Sequence, residues 1–142
     1  MRAIISGWMI ADGEVADPVA GKIVKDLALR LYPAPDASAV DRVVVDGATT
    51  WSRVDYHNGL VESVIAADRC RLLWEASTAD ESLPAIGSVV RQAGTLHSVG
   101  AYEFEYFGIP DVRQSWLVLQ VERVGVDDRM VELEPVEFRF DV

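Results

Sequence analysis

One pattern constrains this chain more than any other. From Asp26 onward, apolar and polar residues alternate in short runs. DLALRLY (26–32) places Leu27, Leu29 and Leu31 at every second position. VDRVVVD (40–46), TTWSRVDY (49–56), GLVESVIAA (59–67), RCRLLWEAS (69–77) and SVVRQAG (88–94) follow. TLHSVGA (95–101), YEFEYF (102–107), SWLVLQVERV (115–124) and RMVELEPVEFRF (129–140) complete the series. A period of two belongs to strands, whose successive side chains point to opposite faces. Val and aromatic residues fill the runs, and Gly, Asp, Asn or Pro separate them. The pattern predicts a mainly β fold, a single antiparallel barrel or strongly curled sandwich of about eight to ten short strands. The strands are spread evenly over all 142 residues with no internal boundary, so one domain covering 1–142 is expected.

One segment fits a helix as well. In DPVAGKIVKDLALRLYP (17–33), Asp17 suits an N-cap, Pro18 a first helical position and Pro33 a stop. Gly21 and the alternation after Asp26 favour a strand over the second half. At most one short helix is therefore expected, near residues 17–25. APDASA (34–39) and ADESLPAIG (79–87) read as surface loops.

The strongest turn signal is Asn58-Gly59, which suits a type I′ hairpin because both residues tolerate positive φ. A two-residue turn pairs Tyr56 with Val61, Asp55 with Glu62, Val54 with Ser63 and Arg53 with Val64. The face bearing Val54, Tyr56, Val61, Ser63 and Ile65 is the expected core face. The other carries Trp51, Arg53, Asp55, His57, Leu60, Glu62, Val64 and Ala66. A second hairpin is expected around GVDD (125–128). It sends Leu117, Leu119 and Val121 one way on its first strand. On its second, Val131 and Leu133 share one parity, and Val136, Phe138 and Phe140 the other. Pro135 lies at the change and predicts a bulge or corner there, since Pro donates nothing to a ladder.

GLVESVIA (59–66) and GTLHSVGA (94–101) share Gly, Ser, Val and Ala in register. The likeness ends after Ala66 and Ala101, so it reads as a shared way of starting a strand and not as a repeated site.

The net charge of −10 disfavours a phosphate-backbone binder, which needs clustered Lys and Arg, and disfavours anionic membranes. It suits a solubilising surface or a basic partner. No run of 18 apolar residues occurs, and Asp12, Glu14 and Asp17 break up the N-terminal stretch, so neither a membrane span nor a signal peptide is expected. Cys70 is the only cysteine and cannot form an internal disulfide; a cytoplasmic protein is the simplest expectation. Arg69 and Arg71 flank Cys70 and would activate an exposed thiol, but a lone strand cysteine is more often a small buried side chain.

Two clusters are candidates for chemistry. Asp55, His57 and Glu62 share the polar face of the first hairpin and form the candidate catalytic group, with a carboxylate orienting the imidazole for acid–base work. The plainer reading is a solvated ion network. Tyr102, Phe104 and Tyr106, with Trp51 and Trp116, are the candidate ligand-binding residues, as aromatics lining an apolar pocket with hydroxyl handles, and Trp8 and Trp74 on other expected strands belong to the same aromatic set. The plainer reading is a filled barrel core. His57 and His97 lack metal-ligand spacing, GVDDR has too few ligands for calcium, and no GxGxxG, P-loop or GxSxG occurs, so no metal or cofactor is expected.

Three functions fit this reading. The first is a small soluble β-barrel binding module for a protein partner or an apolar small molecule, possible as a homodimer through a strand edge. The second is a small barrel enzyme enclosing an apolar substrate, of isomerase or cyclase type. The third is an acidic inhibitor or immunity-type protein that binds a basic partner.

Overall fold

The computed structural model describes residues 1–33, 43–48, 53–55, 61–67, 70–76, 89–106, 108–109 and 111–136. The chain opens with β1 (Arg2–Ile5), a short helix α1 (Gly7–Ala11), β2 (Ile23–Leu27) and β3 (Leu29–Pro33). It continues through β4 (Val43–Ala48), β5 (Arg53–Asp55), β6 (Val61–Ala67), β7 (Cys70–Ala76) and β8 (Val89–Ser98). A second short helix, α2 (Ala101–Tyr106), precedes β9 (Gln114–Val124) and β10 (Asp128–Pro135). Among the described residues no helix is long and apolar enough to cross a membrane.

The fold is mainly β, as the alternation predicts, and the sheet curls into a half-barrel. Its order is β2-β9-β10-β1-β8-β3-β7-β6-β5, with β4 added to β8. The sheet is mixed and not purely antiparallel, because β1 runs parallel to β8 and β3 runs parallel to β7. Alternation reports which face a residue takes and carries no information on strand direction.

The long strand β8 joins the two halves of the sheet. Gly94 pairs with Pro33 of β3 and also with Val43 of β4, so these strands flank it on opposite edges. Beyond Gly94, Leu96 and His97 pair with Ala3 and Ile4 of β1. Val89–Gly94 and Thr95–Ser98, parts of two expected runs, thus form one strand. GTLHSVGA spans the end of β8 and the start of α2, whereas the matching stretch leads into β6, so the two octamers do not share a strand start.

The run DLALRLY is two strands. Asp26 takes a left-handed φ of 56°. The pairing of β2 with β9 shifts between Val24 and Leu27. After Ala28 the chain leaves β9 and joins β7 and β8. Both faces of this stretch are covered. Leu27, Leu29 and Leu31 enter the main core with Ile5, Leu72, Leu96, Trp116 and Leu133, while Ala28 enters a second cluster with Leu73, Val99, Ile109 and Val112.

No helix forms near residues 17–25. Gly21 has a φ of 85°, outside the helical range, and its N–H donates to the Val118 carbonyl at 2.8 Å. The Val118 N–H donates to the Lys22 carbonyl at 2.9 Å. The segment is thereby tied to β9, which satisfies backbone groups that a helix would have paired internally.

The C-terminal hairpin forms as expected around residues 125–127, with Gly125 at a φ of 58°. Its bulge is not at Pro135, which still pairs with Trp116. The register shifts where Glu132 pairs with Gln120 and Leu133 with Val118, which makes Leu119 the extra residue. Buried parity therefore runs Gln114, Trp116, Val118 and resumes at the partly buried Val121, while Leu119 is exposed. On β10, Val131 and Leu133 are buried together as expected. Val136 is described, whereas Phe138 and Phe140 lie outside the described residues.

Candidate functional site

A polar cluster and an aromatic surface are assembled around the end of β8 on the face opposite the main core. Cross-strand register sets His97 beside Arg30 of β3 on one edge and beside Ile4 of β1 on the other. Tyr32, two residues after Arg30, shares that face. Its ring meets the His97 imidazole edge-on, with centroids 5.2 Å apart and planes at 87°. Arg30 is buried, and its Nη1 donates to Glu103 Oε1 of α2 at 3.1 Å and to the Tyr32 hydroxyl at 3.5 Å. Burial holds the His97 imidazole below its ordinary range, against a smaller upward pull from the Asp128 carboxylate.

Two side chains distant in sequence fix the helices beside this cluster. The Gly7 N–H, at the start of α1, donates to Asp128 Oδ1 at 2.8 Å. The preceding Ser6 N–H donates to Ser98 Oγ at 3.0 Å. A Cβ at position 7 would lie 2.5 Å from the Asp127 carbonyl oxygen, so only glycine permits this approach. The Ala101 N–H, at the start of α2, donates to Glu14 Oε1 at 2.8 Å. Both contacts satisfy helix N–H groups that lack intrahelical partners.

The helices bring Trp8 and Tyr102 together. Both rings flank Gly100: a Cβ there would lie 2.6 Å from Trp8 Cη2 and 3.4 Å from Tyr102 Cδ1. Trp8 is 47% exposed and Tyr102 49%. Tyr106 lies one turn along α2 from Tyr102 and is 80% exposed. Phe104 turns the other way and packs on the second cluster. The Arg113 guanidinium lies over the Phe104 ring, 4.9 Å from its centroid. Asp111 holds that guanidinium with contacts of 2.6 Å and 2.9 Å.

The sequence-derived sites fare differently. Tyr102, Phe104 and Tyr106 do not share a strand face, because they lie in the helix α2 and not on a strand. Six residues are too few for a period to separate strand from helix, and the Glu14 cap selects the helix. Trp116 is fully buried in the main core, and its Nε1–H donates to the Leu27 carbonyl at 2.9 Å. The first hairpin is offset by one residue from its expected register. Asp55 sits opposite Val61 and Glu62 opposite Val54, so the two carboxylate-bearing residues are not cross-strand partners. His57, Trp51 and the Asn58-Gly59 turn lie outside the described residues. Cys70 is buried in the main core, as the small apolar reading of a lone cysteine expects.

Sequence reasoning passed over Arg30, Tyr32 and Glu14, weighed His97 only as a metal ligand, and counted Trp8 only among aromatics of the expected strands. A signal existed for Arg30, since a cation inside the leucine run 27–31 needs a partner if the run is buried. Nothing local marks the others. Elsewhere, the outer surface of β1, β10 and β9 carries a groove of about 430 Å³ where Arg2, Glu122 and Glu132 mix with Leu119 and Met130. Among the described residues no three His, Cys, Asp or Glu side chains are placed to hold a metal ion. Comparison of the chain with models of protein families, with curated proteins and with solved structures finds no match.

Proposed function

We propose that this chain is a non-catalytic binding module and that it takes a protein partner on the aromatic surface of α1 and α2. The observation that carries the proposal is the Trp8–Tyr102 pair, two large rings half in solvent and seated on the backbone at Gly100. Amphipathic rings held rigidly at a surface are typical anchors of protein interfaces, because they bury much area at little entropic cost. The described core side chains support this reading over an apolar ligand in an open cavity, since none of the largest is exposed to solvent. Ile5, Leu27, Leu29, Leu31, Trp116 and Leu133 are all fully buried against one another in the main core.

A second reading, a small enzyme, draws on one specific observation. Burial lowers the pKa of His97, whose imidazole stands edge-on to the Tyr32 ring, and such a histidine suits a general base. The binding reading is preferred because the exposed rings of Trp8 and Tyr102 offer a contact surface.

The test compares material purified gently from its own host with the Trp8→Ala/Tyr102→Ala double variant, by native mass spectrometry. The proposal expects a defined protein companion on the parent chain, reduced at least tenfold on the variant. A companion held equally well by both, or a retained small molecule in its place, overturns it. A second copy of the chain as the companion would make the surface a dimer interface.

A further inference from the structure

Resting on that reading, we infer that uptake of one proton by His97 loosens the α1–α2 surface, so that protonation and docking oppose each other. His97 stands between the contacts that place the two helices. On one side, its cross-strand partner Arg30 reaches Glu103 of α2 at 3.1 Å. On the other, its partner Ile4 leads through Ile5 and Ser6 into α1. That junction is held from two directions. Ser98, the residue after His97, accepts the Ser6 N–H on its Oγ at 3.0 Å. Asp128 accepts the Gly7 N–H at 2.8 Å.

The register sets these groups on one face. Arg30, His97, Ile4 and Met130 are successive partners across β3, β8, β1 and β10. Tyr32, Arg2 and Asp128 stand two residues from Arg30, Ile4 and Met130 and share that face; Glu132 pairs with Arg2. The acids on this face are not equally placed to answer a new cation. Glu103 is engaged by Arg30, and Glu132 by the Met1 ammonium at 3.2 Å. Asp128 accepts a neutral backbone N–H, and its carboxylate already pulls on the imidazole, although burial outweighs it. An imidazolium here would meet the like charge of Arg30 at cross-strand range. Relief comes from Asp128 leaving Gly7 for the imidazolium, because two full charges attract more strongly than a charge and an amide dipole. The start of α1 then loses its anchor, and Trp8, one residue on, loses its place against Gly100. Linkage is reciprocal, so a partner that holds α1 in place hinders protonation of His97.

The experiment titrates the full chain by NMR between about pH 7.5 and about pH 5, the range in which histidine changes charge. The readouts are the His97 Cε1–H, the Gly7 amide and the Trp8 indole N–H, the last assigned with Trp8→Phe. In the parent chain the Gly7 and Trp8 signals should move with the His97 midpoint. In His97→Gln both should stay still. In Asp128→Asn the side-chain oxygen can still accept the Gly7 N–H but carries no charge. His97 should then titrate at a lower pH, and the movement of Gly7 and Trp8 should shrink. Gly7 and Trp8 signals that stay still while His97 titrates overturn the inference, as do signals that move equally in His97→Gln. None of these readouts needs a partner, so the docking surface stands or falls separately on its companion experiment.

Discussion

The Asp128 carboxylate caps α1 from 121 residues away, accepting the Gly7 N–H at 2.8 Å. It thereby joins the start of the chain to the β9–β10 turn and sets where Trp8 stands. Asp128→Ala removes the cap and should cost about 1 kcal/mol of stability. Gly7→Ala forces a Cβ against the Asp127 backbone and should cost about 1–3 kcal/mol. Denaturant titration of both variants checks this. A neutral Gly7→Ala would show that the contact between the helix start and the turn relaxes freely.

Gly100→Ala acts differently, because the obstructing atoms belong to the outer ring of Trp8 and not to backbone. The half-exposed ring can move aside, so stability should fall by less than about 1 kcal/mol. Trp8 would lose its seat, and affinity for the partner should drop by roughly tenfold. Paired measurements of melting and binding separate the two effects. Full affinity in a folded Gly100→Ala protein would mean that the ring's seating is irrelevant to recognition.

Trp116→Phe tests the core. The indole is fully buried, and its N–H satisfies the Leu27 carbonyl at the point where β2 ends. The variant leaves that carbonyl without its donor and leaves space where the larger ring stood. The two penalties together should amount to about 2–4 kcal/mol. A change below about 1 kcal/mol would indicate that water or repacking replaces the indole.

His97 should make folding weaker in acid. Burial lowers its pKa below the ordinary value of 6.5. In the window between the folded value and 6.5 the unfolded chain binds the proton that the folded chain resists. The stability tied to this histidine is therefore fully present above 6.5. It declines as pH falls through that window and levels off below the folded value. Unfolding measured at about pH 7.5 and about pH 5 should show a larger loss in the parent chain than in His97→Gln. A larger loss in the variant would contradict the burial account.

Several parts of this structure were legible in the order of residues alone. The β architecture follows from two-residue alternation, and the hairpin at 125–127 follows from a turn segment between two alternating runs. The burial of Val131 and Leu133 on one parity, and of Cys70 as a small apolar residue, could also be read directly. These features depend on local periodicity and on side-chain polarity, which the sequence carries explicitly.

Only the tertiary structure decided which strands are neighbours, which run parallel, and which residues meet at the surface of α1 and α2. Ladder hydrogen bonds are made by backbone groups common to all residues, so β1 carries no mark that it inserts between β10 and β8. One extra residue at Leu119 reverses the parity of β9, and no side chain announces it. The short helices are selected by partners far along the chain, Asp128 for Gly7 and Glu14 for Ala101, so their own windows cannot reveal them. The sequence determined that this chain must build a curled β sheet around a leucine-rich core. Long-range contacts, which no local pattern encodes, decided that Trp8 would meet Gly100 and that Arg30, Tyr32, His97 and Glu103 would cluster beside α2.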